Sequence, residues 1–178
     1  MKRTKKLKDI ILCALFCSLM ITGAYIKIPV PPVPVTMQTF FVILSGLCLG
    51  AKNGFVSFAL YVVLGITGLP VFSGGGGIGY ILTPYFGYII GFGVATIVAG
   101  RILCICKSFL KASLAATAAI YICEIIWFVF VAKIYLSAQI EIVDFVVFYL
   151  SVPLIKDLIF CPIVSDVAKR IRAHIEKL

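Results

Sequence analysis

Apolar runs alternate along this chain with short stretches of polar or helix-breaking residues. Crossing the hydrocarbon core takes about 20 apolar residues of helix, fewer where a helix is short or irregular. Six segments qualify, over about 9–26, 37–50, 54–69, 81–104, 112–132 and 142–165. The second is short, and the sixth is interrupted by Pro153 and Pro162. The pattern predicts an all-α membrane protein, a single domain over residues 1–178 with six transmembrane helices and irregular connections.

Two connections stand apart. The stretch 27–36 carries Pro29, Pro31, Pro32 and Pro34. It is too proline-rich for helix and predicts a stiff, extended crossing. The stretch after Leu69-Pro70-Val71-Phe72-Ser73 carries Gly74, Gly75, Gly76 and Gly77 in succession. Such a run cannot hold a helix, because glycine loses more backbone entropy on ordering than any other residue. Irregular backbone beside a bilayer persists only where protein or water satisfies its polar groups. It also lets a ligand approach the main chain, so a small-molecule site near one membrane face is expected here.

Composition strengthens the membrane reading: 62% of residues are hydrophobic and 13% charged, against roughly 25% charged in soluble domains. The net charge of +9 would suggest nucleic acid in a soluble protein, but its placement argues for topology and lipid headgroups instead. With the N-terminus inside, thirteen basic residues fall in inner segments: five from Lys2 to Lys8, then Lys52, Arg101, Lys107 and Lys111, then four from Lys169 to Lys177. Only Lys27 and Lys133 fall outside. This asymmetry predicts both termini on the cytoplasmic side. The proline and glycine stretches and the loop over 133–141 then lie on the outer face. A site facing outward and a docking surface facing inward follow. Five basic residues before an apolar run could also open a signal peptide, but no small-residue cleavage site follows, so an uncleaved first helix is expected.

Several chemistries are absent. The seven cysteines sit in or at the ends of apolar segments, without CxxC spacing, and read as small packing residues. The single histidine, His174, lies in the basic tail, which excludes a serine–histidine intramembrane protease and a histidine metal site. There is no phosphate-binding loop and no dinucleotide fingerprint. No enzyme, cofactor or metal is implied.

Three ionisable residues fall within apolar segments: Glu124 in the fifth, Lys156 and Asp157 in the sixth. Such groups usually face a cavity or a partner. For Asp157 ligand binding leads over structural pairing. For Glu124 a ligand contact and a buried hydrogen bond weigh equally, and for Lys156 snorkelling or pairing leads. As helical neighbours, Lys156 and Asp157 point about 100° apart, so both are not expected to line one narrow site unless the prolines loosen the helix. Tyr121, Glu124 and Trp127 share a helix face, and Tyr85 and Tyr88 flank the outer side. Ala14 and Ser18, four residues apart, permit close approach of another helix, within the chain or from a partner.

At the residue level the chain resembles the BioY family, the biotin-binding S components of energy-coupling factor (ECF) transporters. Gly23-Ala24-Tyr25-Ile26-Lys27-Ile28-Pro29 and Pro32-Val33-Pro34-Val35-Thr36-Met37-Gln38-Thr39-Phe40 are similar to that family's first outer loop. Gly46, Leu49, Gly50, Gly54 and Tyr61 continue the pattern, as does the run from Gly65 to Phe72 with the glycines after it. Thr83-Pro84-Tyr85-Phe86-Gly87-Tyr88 with Gly91-Phe92 looks like its G-P-T-G-G-Y…G-F segment, and Asp157 matches the Asp of its G-D-x-x-K motif. At the Gly and Lys positions of that motif this chain has Lys156 and Phe160.

The resemblance implies a six-helix protein of a prokaryotic-type plasma membrane that binds biotin on the outer side. It implies a transmembrane coupling protein and two cytoplasmic ATPases as partners, with Ala14 and Ser18 at the coupling surface. Ligand-binding candidates are Asp157, Gly74, Gly75, Gly76, Gly77, Tyr85, Tyr88, Lys156, Glu124 and Gln38. The chemistry of biotin suits them: Asp157 and tyrosine or backbone groups for the ureido ring, aromatic walls for the bicycle, glycine-loop amides or a cation for the carboxylate. An S component for another vitamin, a secondary transporter using Glu124 or Asp157, and a lipid-interacting six-helix protein without transport are the alternatives.

Overall fold

The computed structural model describes residues 2–29, 34–131 and 150–175, with side chains from residue 6 onward. Pro31, Pro32, the 133–141 loop, the expected start of the sixth segment at Ile142, and Lys177 lie outside the described residues. The described chain is nearly all helical: α1 (Lys2–Tyr25), α2 (Gln38–Ile66), α3 (Phe86–Cys106), α4 (Phe109–Val131) and α5 (Ser151–Ile175), with a two-stranded pairing of β1 (Lys27–Ile28) and β2 (Val35–Thr36). Among the described residues, four helical stretches are long and apolar enough to cross a membrane: Lys6–Tyr25, Gln38–Ile66, Phe86–Cys106 and Phe109–Val131.

Helix α1 shows how the pattern becomes structure. Cys13, Phe16, Cys17, Met20 and Ala24 recur at helical spacing and are buried, whereas Ile10, Ile11 and Leu15 are more than half exposed on the opposite side. In a bilayer that second face meets lipid.

The chain doubles back inside α2. Gly50 has φ 77° and ψ 174°, outside the helical region, a conformation that costs glycine no Cβ clash. A Cβ on Gly54 would stand 3.0 Å from Gly46 Cα, although eight residues of straight helix span about 12 Å. The arms 38–49 and 51–66 therefore fold against each other, and the second and third predicted segments appear as two arms of one element. The first arm, at about 18 Å, is shorter than the roughly 30 Å hydrocarbon core.

Glycines also let the helices touch backbone to backbone. A Cβ on Gly46 would be 2.8 Å from Ala99 Cβ in α3, and one on Gly91 would be 2.8 Å from Ile120 Cα in α4. The α4–α5 seam is polar instead. Ser113 Oγ lies 3.1 Å from Ser165 Oγ, Thr117 Oγ1 lies 3.3 Å from Cys161 Sγ, and Tyr121 Oη donates to Asp157 Oδ2 at 2.7 Å. These pairs ascend one turn at a time, so they set the antiparallel register of the two helices.

Three expectations about the connections change. The proline stretch does not simply cross: its ends pair antiparallel, Lys27 with Thr36 and Ile28 with Val35. Pro29 and Pro34 border this short ladder, because proline has no N–H to extend it. The fourth segment begins at Phe86 rather than near residue 81, since Ile78–Leu82 forms a 3₁₀ turn and Pro84 precedes the helix. Helix α5 runs unbroken through Pro162, and Pro153 lies in its first turn, where no N–H is required.

Charge segregates by end. Lys8 Nζ donates to the Ile175 carbonyl, which places the start of α1 beside the end of α5. Arg101, Lys107, Lys169 and Arg172 gather near the Gly50 fold-back at that same end.

Candidate functional site

At the other end, the starts of α2, α3 and α5 surround a cavity of about 260 Å³, near the lower bound of roughly 300 Å³ for small-molecule pockets. Its roof is the glycine loop, which is a folded cap. Phe72 and Gly75 exchange backbone hydrogen bonds of 2.9 and 3.1 Å, and Gly77 N–H donates to the Gly65 carbonyl at 2.7 Å. Gly75 (φ 126°) and Gly77 (φ 99°) take backbone conformations that a side chain would strain. The Phe72 ring, 2% exposed, rests on Gly65 and stacks 5.3 Å from Tyr61 and 4.8 Å from Tyr80. Lys27 Nζ ties the strand after α1 to this cap by donating to the Ser73 carbonyl at 2.6 Å.

The polar centre of the cavity is on α5. Asp157 is 3% exposed. Its Oδ2 accepts from Tyr121, and its Oδ1 lies 2.6 Å from Lys156 Nζ. Lys156 also donates to the Thr36 carbonyl, linking α5 to the first loop. Both residues line the cavity, contrary to the expectation from their 100° separation. The four-carbon lysine stem carries the ammonium around the helix face to its neighbour's carboxylate. Lys156 and Phe160 share a face of α5, with Nζ 5.9 Å from the Phe160 ring centre. A cation from position 156 therefore reaches towards the region that one at 160 would occupy.

Donors complete the site. Gln38 is 2% exposed, and among the described residues neither its Nε2 nor the buried Tyr88 hydroxyl has a hydrogen-bond partner. A buried donor left unpaired costs about 1–3 kcal/mol, so both are suited to a ligand. Tyr88 stands edge-on to Tyr121, with centroids 5.9 Å apart, and Ile89 and Phe92 form an apolar wall.

Of the residues singled out above, the structure brings Gln38, Gly74, Tyr85, Tyr88, Lys156 and Asp157 into the cavity lining. Gly75, Gly76 and Gly77 shape the cap without lining the cavity. The amides of Gly75 and Gly77 are already bonded within it, so the loop as a whole does not present an anion nest. Glu124 does not line the cavity either. It is 0% exposed beneath Gly87, where an added Cβ would stand 2.7 Å from Trp127 Cβ. Trp127, on the same face, donates to the Thr83 carbonyl at 3.1 Å and pins the 3₁₀ turn. Ala14 and Ser18 are exposed on the outer face of α1, far from the cavity. Sequence reasoning missed Thr36 and the buried Thr39 in the cavity lining, and the role of Tyr121 as the partner of Asp157. The recurrence of Ser113, Thr117 and Tyr121 every four residues along α4 was the available signal.

Comparison with known proteins agrees with this architecture. A solved structure of the S component for biotin from an ECF-type ABC transporter superposes with a TM-score of 0.76 at 25% sequence identity, covering 95% of each chain. A probable biotin transporter BioY of Lysinibacillus sphaericus is 50% identical over 95 residues, 53% of this chain and 48% of the relative. Another from Pyrococcus horikoshii is 53% identical over 96 residues, 53% of this chain and 59% of the relative. The alignments thus span about half the length of these curated relatives. The BioY family model matches residues 1–177, and with that match the chain belongs to the BioY family.

Proposed function

We propose that this chain is the biotin-binding and translocating subunit of an ATP-driven vitamin importer, and that the cavity beneath the glycine cap is its biotin site. The observation that carries this reading is the pair of the partly exposed Lys156 and the buried Asp157, flanked by the unpartnered donors Gln38 and Tyr88. In this assignment Asp157 accepts a ureido N–H, while Gln38 Nε2 and the Tyr88 hydroxyl donate to the ureido carbonyl. Ile89 and Phe92 pack on the bicycle. The valeryl carboxylate lies at the other end of the ligand from the ureido ring, so the Lys156 ammonium takes it by leaving its 2.6 Å contact with Asp157, a movement its four-carbon stem allows, and Lys156 thereby substitutes for the family lysine at Phe160.

The same reading sets the chain in a plasma membrane with six crossings, the two arms of α2 counted separately and α5 as the sixth. Both termini face the cytoplasm, supported by the collection of basic residues at the end away from the cavity. The partners are a transmembrane coupling protein and two cytoplasmic ATPases. Ala14 and Ser18 are exposed rather than packed internally, which supports a coupling role on the outer face of α1.

Calorimetric titration of the detergent-purified, ligand-stripped protein with biotin tests the proposal. One-to-one, nanomolar binding supports it. No binding reassigns the cavity to another vitamin. For coupling, Ala14→Trp is expected to abolish co-purification with the coupling protein while leaving biotin titration unchanged. Intact complex formation would remove the coupling role of α1.

A further inference from the structure

The second cavity, at the basic end, plays no part in the biotin reading. It measures about 600 Å³. Its floor is Gly50, Ala51 and Gly100, where the backbones meet so closely that an added Cβ at Gly100 would run into Ala51. Four cations stand around it: Arg101, Lys107, Lys169 and Arg172. Among the described residues no carboxylate lines it.

Local geometry holds these charges together. Lys107 closes α3 in the left-handed region, φ 53°, with its N–H bonded to the Leu103 carbonyl at 3.0 Å. It is the single non-glycine residue with positive φ among those described, and such strain tends to gather at functional positions. Arg172 Nη1 donates to the Leu47 carbonyl at 3.1 Å, fixing its guanidinium over the fold-back. The starts of α4 and of the second α2 arm border the cavity, and so do the ends of α3 and α5. Their dipoles largely oppose one another, so the side-chain charges of Arg101, Lys107 and Lys169 set the sign of the potential.

Depth identifies the occupant. The apolar span of α3 ends at Cys106 and that of α4 begins at Phe109. Beside the cavity, Ile105 is 74% and Leu110 44% exposed, as lipid-facing residues are. The mouth therefore opens at headgroup level, where basic pockets between membrane helices take anionic headgroups. We propose that this cavity binds a phosphate group, carried by the headgroup of an anionic phospholipid, with Arg101 and Lys169 among its principal ligands.

Thermal unfolding in zwitterionic detergent tests this with three probes: dioctanoyl phosphatidylglycerol, dioctanoyl phosphatidylcholine and inorganic phosphate. The phosphatidylglycerol is expected to raise Tm saturably, and the phosphatidylcholine to leave it unchanged. Arg101→Gln with Lys169→Gln should weaken the phosphatidylglycerol response roughly thirtyfold. Lys111→Gln with Arg170→Gln, which removes equal charge outside the cavity, should leave it unaltered. Inorganic phosphate acting as strongly as phosphatidylglycerol supports the phosphate site and assigns it to the free ion. An equal response to phosphatidylcholine, or full phosphatidylglycerol affinity in the cavity double variant, overturns the proposal. Should that variant not fold, the unaltered protein still decides. Phosphatidylglycerol affinity that neither falls with added sodium chloride nor responds to competing inorganic phosphate overturns the proposal equally.

Discussion

At one end of the bundle Lys156 is closed in beside Asp157, 2.6 Å away, under a cap of glycines and aromatics. At the other, Arg101, Lys107 and Lys169 border a larger opening that, among the described residues, no carboxylate lines. Opposite charges sealed from water attract strongly, but each becomes costly once its partner is removed. Like charges around an open cavity are screened by solvent and remain available to an anion that arrives. The first arrangement suits selection of one small molecule with both donors and acceptors. The second suits a looser, salt-sensitive contact at the membrane surface. Sequence neighbours make the enclosed pair, whereas residues from the ends of two helices, α3 and α5, make the open cluster.

Substitutions on the enclosed side should therefore have the larger effects and leave the basic end untouched. Lys156→Met strands the buried Asp157 carboxylate. Taking the low end of the range for a broken buried pair, because Lys156 is partly exposed, the expected loss is about 3 kcal/mol in combined stability and biotin affinity. Calorimetry and thermal unfolding would register it, and a near-normal variant would mean that the pair is solvated. Adding Phe160→Lys to that variant should recover much of the biotin affinity from the same helix face. Failure to recover any would deny that the two positions are interchangeable. Asp157→Asn keeps the shape and removes the charge, so biotin binding should weaken by about 1–3 kcal/mol, as for a lost charged hydrogen bond. Tyr121→Phe deletes one donor to Asp157 and should cost about 0.5–1.5 kcal/mol in the same titration. Smallest is Ser113→Ala, midway between the ends, at about 0.6 kcal/mol of unfolding free energy. A much larger value would mean that the polar α4–α5 seam is a principal support of the cavity.

How much was legible beforehand differs from residue to residue. Asp157 was legible because a carboxylate within an apolar segment is rare enough to mark a site. Gln38 was legible only through the resemblance, since a glutamine at the start of a helix carries no signal of its own. Pairing led among the readings of Lys156, but its place beside Asp157 in one cavity was not expected, because helical projection describes Cβ directions and says little about the reach of a long side chain. Glu124 was an even choice between ligand contact and buried hydrogen bond in one dimension, and close packing against Gly87 and Trp127 keeps it off the cavity lining. The glycine run announced irregular backbone correctly. That its amides are engaged within the cap depends on the Gly65 carbonyl lying beneath it, which no local rule specifies.

By itself the sequence determined the helical, membrane-embedded character of the chain, the places where helices must stop, and the uneven placement of basic residues. Each of these follows from run length, breaker residues and charge order, properties that exist along one dimension. The doubling back at Gly50, the choice of which ionisable groups share a cavity, and the gathering of Arg101, Lys107, Lys169 and Arg172 around one opening were decided only by tertiary structure. They depend on how closely the backbones approach at Gly46, Gly91 and Gly100 and on how each helix is rotated about its axis. Packing sets both of those quantities.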